Sequence, residues 1–167
     1  MSFDDLFEDV YPGLHRYCVR LTGDEDVAAD TAQEAFVRLL ERGVKGEPAG
    51  LKAWLFKVAT HVVRDRARVE GNRARLLAAN PTTDVVEDGT VEGIDRGRRI
   101  AYVRRALDSL DERDRTLLLM REEGFQYREL AEAVGVEPTS VGTLLARARR
   151  RFAEALGPHM WETETET

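Results

Sequence analysis

The chain has 167 residues, with 25 Lys and Arg against 31 Asp and Glu, one cysteine and three histidines. A lone Cys18 excludes an internal disulfide and a cysteine-based metal cluster, and His15, His61 and His159 stand without ligand spacing or a glycine-rich phosphate loop, so no cofactor is expected. The formal net charge of −6 hides a basic block: residues 51–75 carry seven Lys or Arg against two acids, between acidic stretches 1–46 and 76–97.

In chain order, Leu6, Val10, Leu14, Tyr17, Cys18 and Leu21 recur at helical spacing until Gly23, which predicts a first helix. Asp24 and Asp26 offer caps for a second, whose apolar side runs through Val27, Ala28, Thr31, Ala35, Phe36, Leu39 and Leu40 and ends near Gly43. Its other side carries Asp30, Gln33, Glu34, Arg38 and Arg42, which by periodicity alone reads as a solvated face. Residues 43–50 form a loop, with Pro48 suited to the first turn of the next helix. There Leu51, Trp54, Leu55, Val58 and Val62 form a buried stripe, while Lys52, Lys57, Thr60, His61, Arg64 and Arg68 face outward, with Phe56 among them. A local basic face suffices for phosphate, since salt limits the reach of distant acids to about 10 Å at 0.1 M, and an aromatic among cations can stack on an unpaired base.

From Asn80 to Gly97 the periodicity dissolves among proline, glycines and acids, as in a linker. A helix through Ile100, Val103, Leu107 and Leu110 follows, then one capped by Asp111 that stops at Gly124. Residues Tyr127 to Ala146 have the spacing of a helix-turn-helix. Leu130 and Val134 face inward, Ala131 is small where a second helix crosses, Gly135 takes the turn, and Val136, Val141, Leu144 and Leu145 return to the core. The fold class is therefore all-α: two small helical domains, 1–76 and 98–157, joined by a flexible acidic linker, 77–97, with a polar tail, 158–167. The acidic amino terminus has no signal core, and the apolar run Leu117 to Met120 is far too short to cross a bilayer, so a cytoplasmic monomer without membrane insertion is expected.

Three stretches, DVAADTAQEAFVRLL (26–40), LKAWLFKVATHVVRDRAR (51–68) and ALDSLDERDRTLLLMREEGFQYRELAEAVGVEPTSVGTLLARARRRF (106–152), together resemble RNA polymerase sigma factors of the sigma-70 family, extracytoplasmic-function (ECF) group. The resemblance implies a promoter-specificity subunit with no catalysis of its own. Its partners would be core RNA polymerase (the clamp helices of the largest subunit and the flap of the second-largest), promoter DNA and an anti-sigma factor. Asp30, Gln33 and Glu34 would grip the clamp. Lys57, His61, Arg64 and Arg68 would engage the −10 element, with a non-template base flipped out and held in a pocket. Thr139, Gly142, Thr143, Arg147, Arg150 and Arg151 would engage the −35 element, the arginines toward phosphate. The sequence departs from the family pattern at His61, commonly asparagine, and at Gly142 and Leu144, commonly basic. No bidentate guanine pair is available at the groove-facing positions, so more promoter discrimination would fall on residues 43–68. Close approach of DNA or a partner is a candidate reason for Gly142. Two alternatives stay open: a sigma-like protein that reads DNA poorly, and a helix-turn-helix regulator that works without polymerase. An enzyme is least favoured.

Overall fold

The computed structural model describes residues 1–77 and 91–157, and within them every regular element is a helix. The amino-terminal half consists of α1 (Phe3–Thr22), α2 (Glu25–Arg42) and α3 (Pro48–Leu77); the carboxy-terminal half of α4 (Val91–Ser109), α5 (Glu112–Glu122), α6 (Tyr127–Val134) and α7 (Pro138–Leu156). Residues 78–90 of the expected linker and the expected tail, 158–167, lie outside the described residues.

Local chemistry sets the helix ends. Ser2 and Asp5 form a reciprocal capping box on α1, each side chain accepting from the other's backbone N–H at 3.1 Å. Asp24 accepts from the amides of Asp26 and Val27 at the start of α2, and Asp111 does the same for Asp114 at α5. Gly23 closes α1 with φ +70°, and a side chain there would also meet the Arg104 guanidinium at 2.9 Å. Gly135, φ +73°, makes the α6–α7 turn.

The helix stripes bury much as their periodicity predicts, with four instructive differences. Leu40 is 60% exposed, because at 100° per residue it falls on the flank of Asp30, Gln33 and Val37 rather than beside Leu39. Thr60 and Phe56, expected on the basic face, are buried: the Thr60 hydroxyl donates to the Phe56 carbonyl and meets the Tyr17 hydroxyl at 2.7 Å. Ile100 is 63% exposed although it lies on the same side of α4 as the buried Leu107, two turns later. Finally, α4 begins at Val91, inside the stretch expected to be linker.

The two halves also dock rather than standing apart, and their buried side chains form one continuous cluster. In the amino-terminal half α1 packs on α2 and both pack on α3; in the other, α7 is the hub against which α4, α5 and α6 lie. The join is α1 and α3 against α5 and the turn after it. Phe56 sits between Tyr17 (ring centroids 5.0 Å) and Phe125 (4.7 Å, edge to face).

Candidate functional site

On α2, Asp30 and Gln33 are exposed and Glu34 is half-buried, its carboxylate paired with Arg38 one turn later at 3.0 Å. Such an exposed i, i+4 pair is worth about 0.3–0.5 kcal/mol, so a partner can displace it at little cost. The stripe continues past the polar residues: Val37 and Leu40 are 46% and 60% exposed at spacings of seven and ten from Asp30. They leave an apolar pair in water beside the two polar groups. Periodicity alone places Leu40 with the core and does not single out Val37.

On α3, Lys57, His61, Arg64 and Arg68 recur at spacings of four, three and four, which puts them within about 60° of one another around the helix axis. Lys57, His61 and Arg64 are partly covered, and Arg68 is exposed. Burial pushes the His61 pKa below its ordinary value, and the neighbouring cations Arg64 and Lys57 push it further, against the opposing pull of Asp65 and Glu112. The imidazole is consequently neutral at pH 7, able both to donate and to accept. Trp54 is half-buried against the core. Phe56 is unavailable to a base, because Tyr17 and Phe125 enclose it.

This basic stripe does not face open solvent along its whole length. Glu112, at the first position of α5, accepts a hydrogen bond from the Arg64 guanidinium. Between α3 and α5 lies a cleft of about 290 Å³ whose walls include Arg64, Arg68, Glu112 and Arg115. The Lys52 ammonium stands 5.5 Å from the centre of the Phe125 ring.

In the helix-turn-helix, Thr139, Thr143, Arg147 and Arg150 are exposed and fall within about 80° of α7, opposite the buried Val141, Leu145 and Ala148. Gly142 stands beside this face, half-covered. Among the described residues a Cβ there would meet only the Tyr127 ring, at an ordinary contact distance of 3.6 Å, and none of them requires glycine. Arg151 points elsewhere. Its guanidinium donates at 2.6 Å to Asp114, a carboxylate 1% exposed, and reaches Asp111 at 3.6 Å. The other Asp114 oxygen is buried with no partner among the described residues. Arg151 therefore neutralises a buried charge, a use that the sequence reading missed.

Sequence reasoning also missed the groups that join the halves. Glu123, whose carboxylate is 5% exposed, accepts two hydrogen bonds from Arg16, at 2.8 and 3.0 Å, and lies 3.5 Å from Arg20. Arg104 donates to the carbonyls of Arg20 and Leu21 at the end of α1, and, within the carboxy-terminal half, Arg115 donates to those of Leu107, Asp108 and Leu110 at the end of α4. Both satisfy carbonyls that a helix end leaves without partners. No periodic signal announces such pairs, because each is a single charge on a face that reads as solvated.

Among the described residues no helix is long and apolar enough to cross a membrane. Two family models match the chain: Sigma-70 region 2 over residues 6–73, covering α1 to α3, and Sigma-70, region 4 over residues 100–152, covering α4 to α7. The chain is 30% identical to the ECF RNA polymerase sigma factor SigE of Mycolicibacterium smegmatis over 166 residues, 97% of this chain and 64% of that protein. It is 30% identical to the ECF RNA polymerase sigma factor SigM of Mycobacterium tuberculosis, over 93% of this chain and 78% of that one. It is 27% identical to the RNA polymerase sigma factor YlaC of Bacillus subtilis, over 89% and 88%. The fold matches that of the sigma factor RpoE of Bartonella quintana, solved in complex with the anti-sigma factor NepR, with a TM-score of 0.68 at 20% identity over 93% of this chain and 97% of that one.

Proposed function

We propose that this chain, which belongs to the ECF group of the sigma-70 family, is a promoter-specificity subunit that binds core RNA polymerase, directs it to −10 and −35 elements and helps melt the DNA, with no catalytic step of its own. The observation that carries the reading is the joint presence, in family order, of a basic stripe on α3 and a helix-turn-helix whose exposed face ends in two arginines that form no ion pair among the described residues. Lys57, Arg64 and Arg68 are suited to hold the backbone of a strand whose base has been unstacked, and neutral His61 to read a base edge. Arg147 and Arg150 are suited to phosphates of a duplex whose major groove admits α7, with Thr139 and Thr143 toward the bases and Gly142 beside them. On α2 the stripe Asp30, Gln33, Val37 and Leu40, with Glu34 beside it, supports docking on the polymerase clamp: two apolar side chains supply contact area and the polar groups supply direction. The likeness to a sigma factor crystallised with its inhibitor supports control by an anti-sigma factor, and a cytoplasmic site of action follows from the polymerase reading.

One observation favours a second reading. The groove-facing end of α7 carries two threonines and a glycine but no guanidinium, as expected of a protein that binds polymerase yet reads DNA poorly. Purified chain added to core polymerase separates the two. Transcripts from selected promoters establish the first reading; polymerase binding without transcripts establishes the second, and no polymerase binding sinks both. Asp30→Ala with Glu34→Ala should weaken polymerase association, as should Leu40→Ala, and unchanged affinity in both would remove the assignment of α2.

A further inference from the structure

We propose that the outer side of α4 is a binding surface for single-stranded RNA, with Arg98 and Arg105 on phosphates and Tyr102 stacked on a base between them. The inference rests on the reading of this chain as a polymerase subunit, and it adds a nucleic-acid contact separate from the basic stripe of α3 and the exposed face of α7.

Positive charge is denser here than anywhere else in the sequence: residues 96–105 hold five arginines and no acid, in a chain of net charge −6. One of the five is committed to the fold, since Arg104 donates to the carbonyls of Arg20 and Leu21 and pairs with Asp108 at 3.1 Å. Arg98 and Arg105 are exposed and form no ion pair among the described residues. At 100° per residue Arg98, Tyr102 and Arg105 fall within about 60° of one another, on the side of α4 opposite the buried Leu107. Tyr102 is 50% exposed, so a large ring is left in water with a cation one turn away on each side. A merely solvated face has no use for such a ring, and the core of a protein interface is depleted of charge around its aromatics.

The spacing fits a strand. Arg98 and Arg105 are about 10 Å apart along the helix axis with Tyr102 between them, so phosphates of neighbouring nucleotides can take one guanidinium each while a base lies on the ring. Arginine neutralises the backbone without regard to sequence, and every base has a face to stack. A duplex would satisfy only the arginines, because its bases are already stacked on one another. The strand is RNA rather than DNA because a polymerase subunit works beside a growing transcript, whereas the melted DNA strand already has the basic stripe of α3.

The test uses the full chain and a fluorescent 20-nucleotide RNA of random sequence at 0.1 M NaCl. Arg98→Gln with Arg105→Gln should weaken binding about tenfold and lower the slope of log affinity against log salt by about 1.4, the share of two phosphates in a single strand. Tyr102→Ala should weaken binding about fivefold or more, and Tyr102→Phe by less than about twofold, because the phenyl ring still stacks. Unchanged affinity in the double variant, or equal losses in Tyr102→Ala and Tyr102→Phe, would overturn the proposal. So would a fluorescent 20-residue polyglutamate that binds as tightly as the RNA and weakens in the same variants, since the stripe would then recognise an acidic protein. The source of the strand is read in a transcribing complex of core polymerase, promoter DNA and the wild-type chain. A transcript carrying thiouridine should crosslink within α4 under ultraviolet light, and crosslinks of α4 to thiolated DNA alone would overturn the assignment to RNA. If the variants lose RNA as expected but the wild type yields no transcripts, the surface stands and the promoter-specificity reading fails; normal transcripts with RNA binding indifferent to the stripe give the reverse.

Discussion

At the scale of single residues, the fold spends its charges and polar atoms in ways that ordinary spectroscopy and chemistry can read. Cys18 is fully enclosed, and burial pushes its thiol up to about 12. The thiolate that reacts with disulfide reagents is then scarce at pH 8, and the sulfur is out of reach as well. Ellman's reagent should label the native protein about a hundredfold or more slowly than the denatured chain, at a rate set by opening of the α1 core; rapid native labelling would show that α1 is not held as described. His61 is displaced the other way, by burial first and then by Arg64 and Lys57. A histidine kept neutral in the fold binds fewer protons folded than unfolded, so its contribution to stability is intact above the ordinary value of 6.5 and is lost as the pH falls from 6.5 toward the folded value. Proton NMR of the His61 ring should show a midpoint below 6.5, and Arg64→Ala should move that midpoint upward by removing the nearer cation. A midpoint at or above 6.5 would mean that this side chain is neither buried nor set beside the two cations.

At the scale of elements, what the sequence discloses is the order of helices and most of their buried stripes. Those depend on spacing within one helix, and Leu6 to Leu21 of α1 is an example in which every predicted position is buried. What it conceals depends on the neighbour. Leu40 and Ile100 fit an apolar stripe but face water, while Phe56 and Thr60 sit in a basic stretch but face Tyr17, because another helix lies on that side. The early start of α4 has a similar origin. Gly93 and Gly97 lower the intrinsic propensity of its first turns, but lengthening a helix already anchored on α7 avoids the cost of nucleation. The candidate site divides likewise: the stripe on α3 and the exposed face of α7 were legible, whereas the use of Arg151 depends on Asp114, thirty-seven residues away. Substitutions on α7 exploit this. Arg151→Ala strands a buried carboxylate and should cost about 2–3 kcal/mol by thermal or urea unfolding, while Arg147→Ala and Arg150→Ala stay within about 0.5 kcal/mol. Gly142→Ala gains helix propensity and an ordinary contact with Tyr127, so it should stabilise by about 1 kcal/mol. If the same variant weakens binding to −35 duplex, close approach of DNA accounts for the glycine; unchanged binding would leave the glycine without a role at the groove.

At the scale of the whole molecule, the question is whether two short helical units behave as one. Each half is small enough that its own core is marginal, and each gains from the join: Phe56 and Phe125 shield one another, and Glu123 exchanges water for two guanidinium groups. The halves need not be equally stable alone, however, since α1 to α3 bury large aromatics whereas α5 to α7 rely mainly on leucine, methionine and alanine. Coupling through the interface raises the weaker half toward the stronger, because opening it alone exposes Phe56 and strands Arg16, Arg20 and Arg64 without their partners. Native-state hydrogen exchange followed by mass spectrometry measures this directly. In the wild type the slowest amides of α3 and of α7 should report opening free energies within about 0.5 kcal/mol of each other, the signature of a single cooperative unit. In the chain carrying Glu112→Gln and Glu123→Gln the two values should separate, with α7 falling and α3 nearly unchanged. Values that already differ widely in the wild type would mean that the apolar join and the polar contacts around it do not couple the halves, and that each unit carries its DNA-reading face independently of the other.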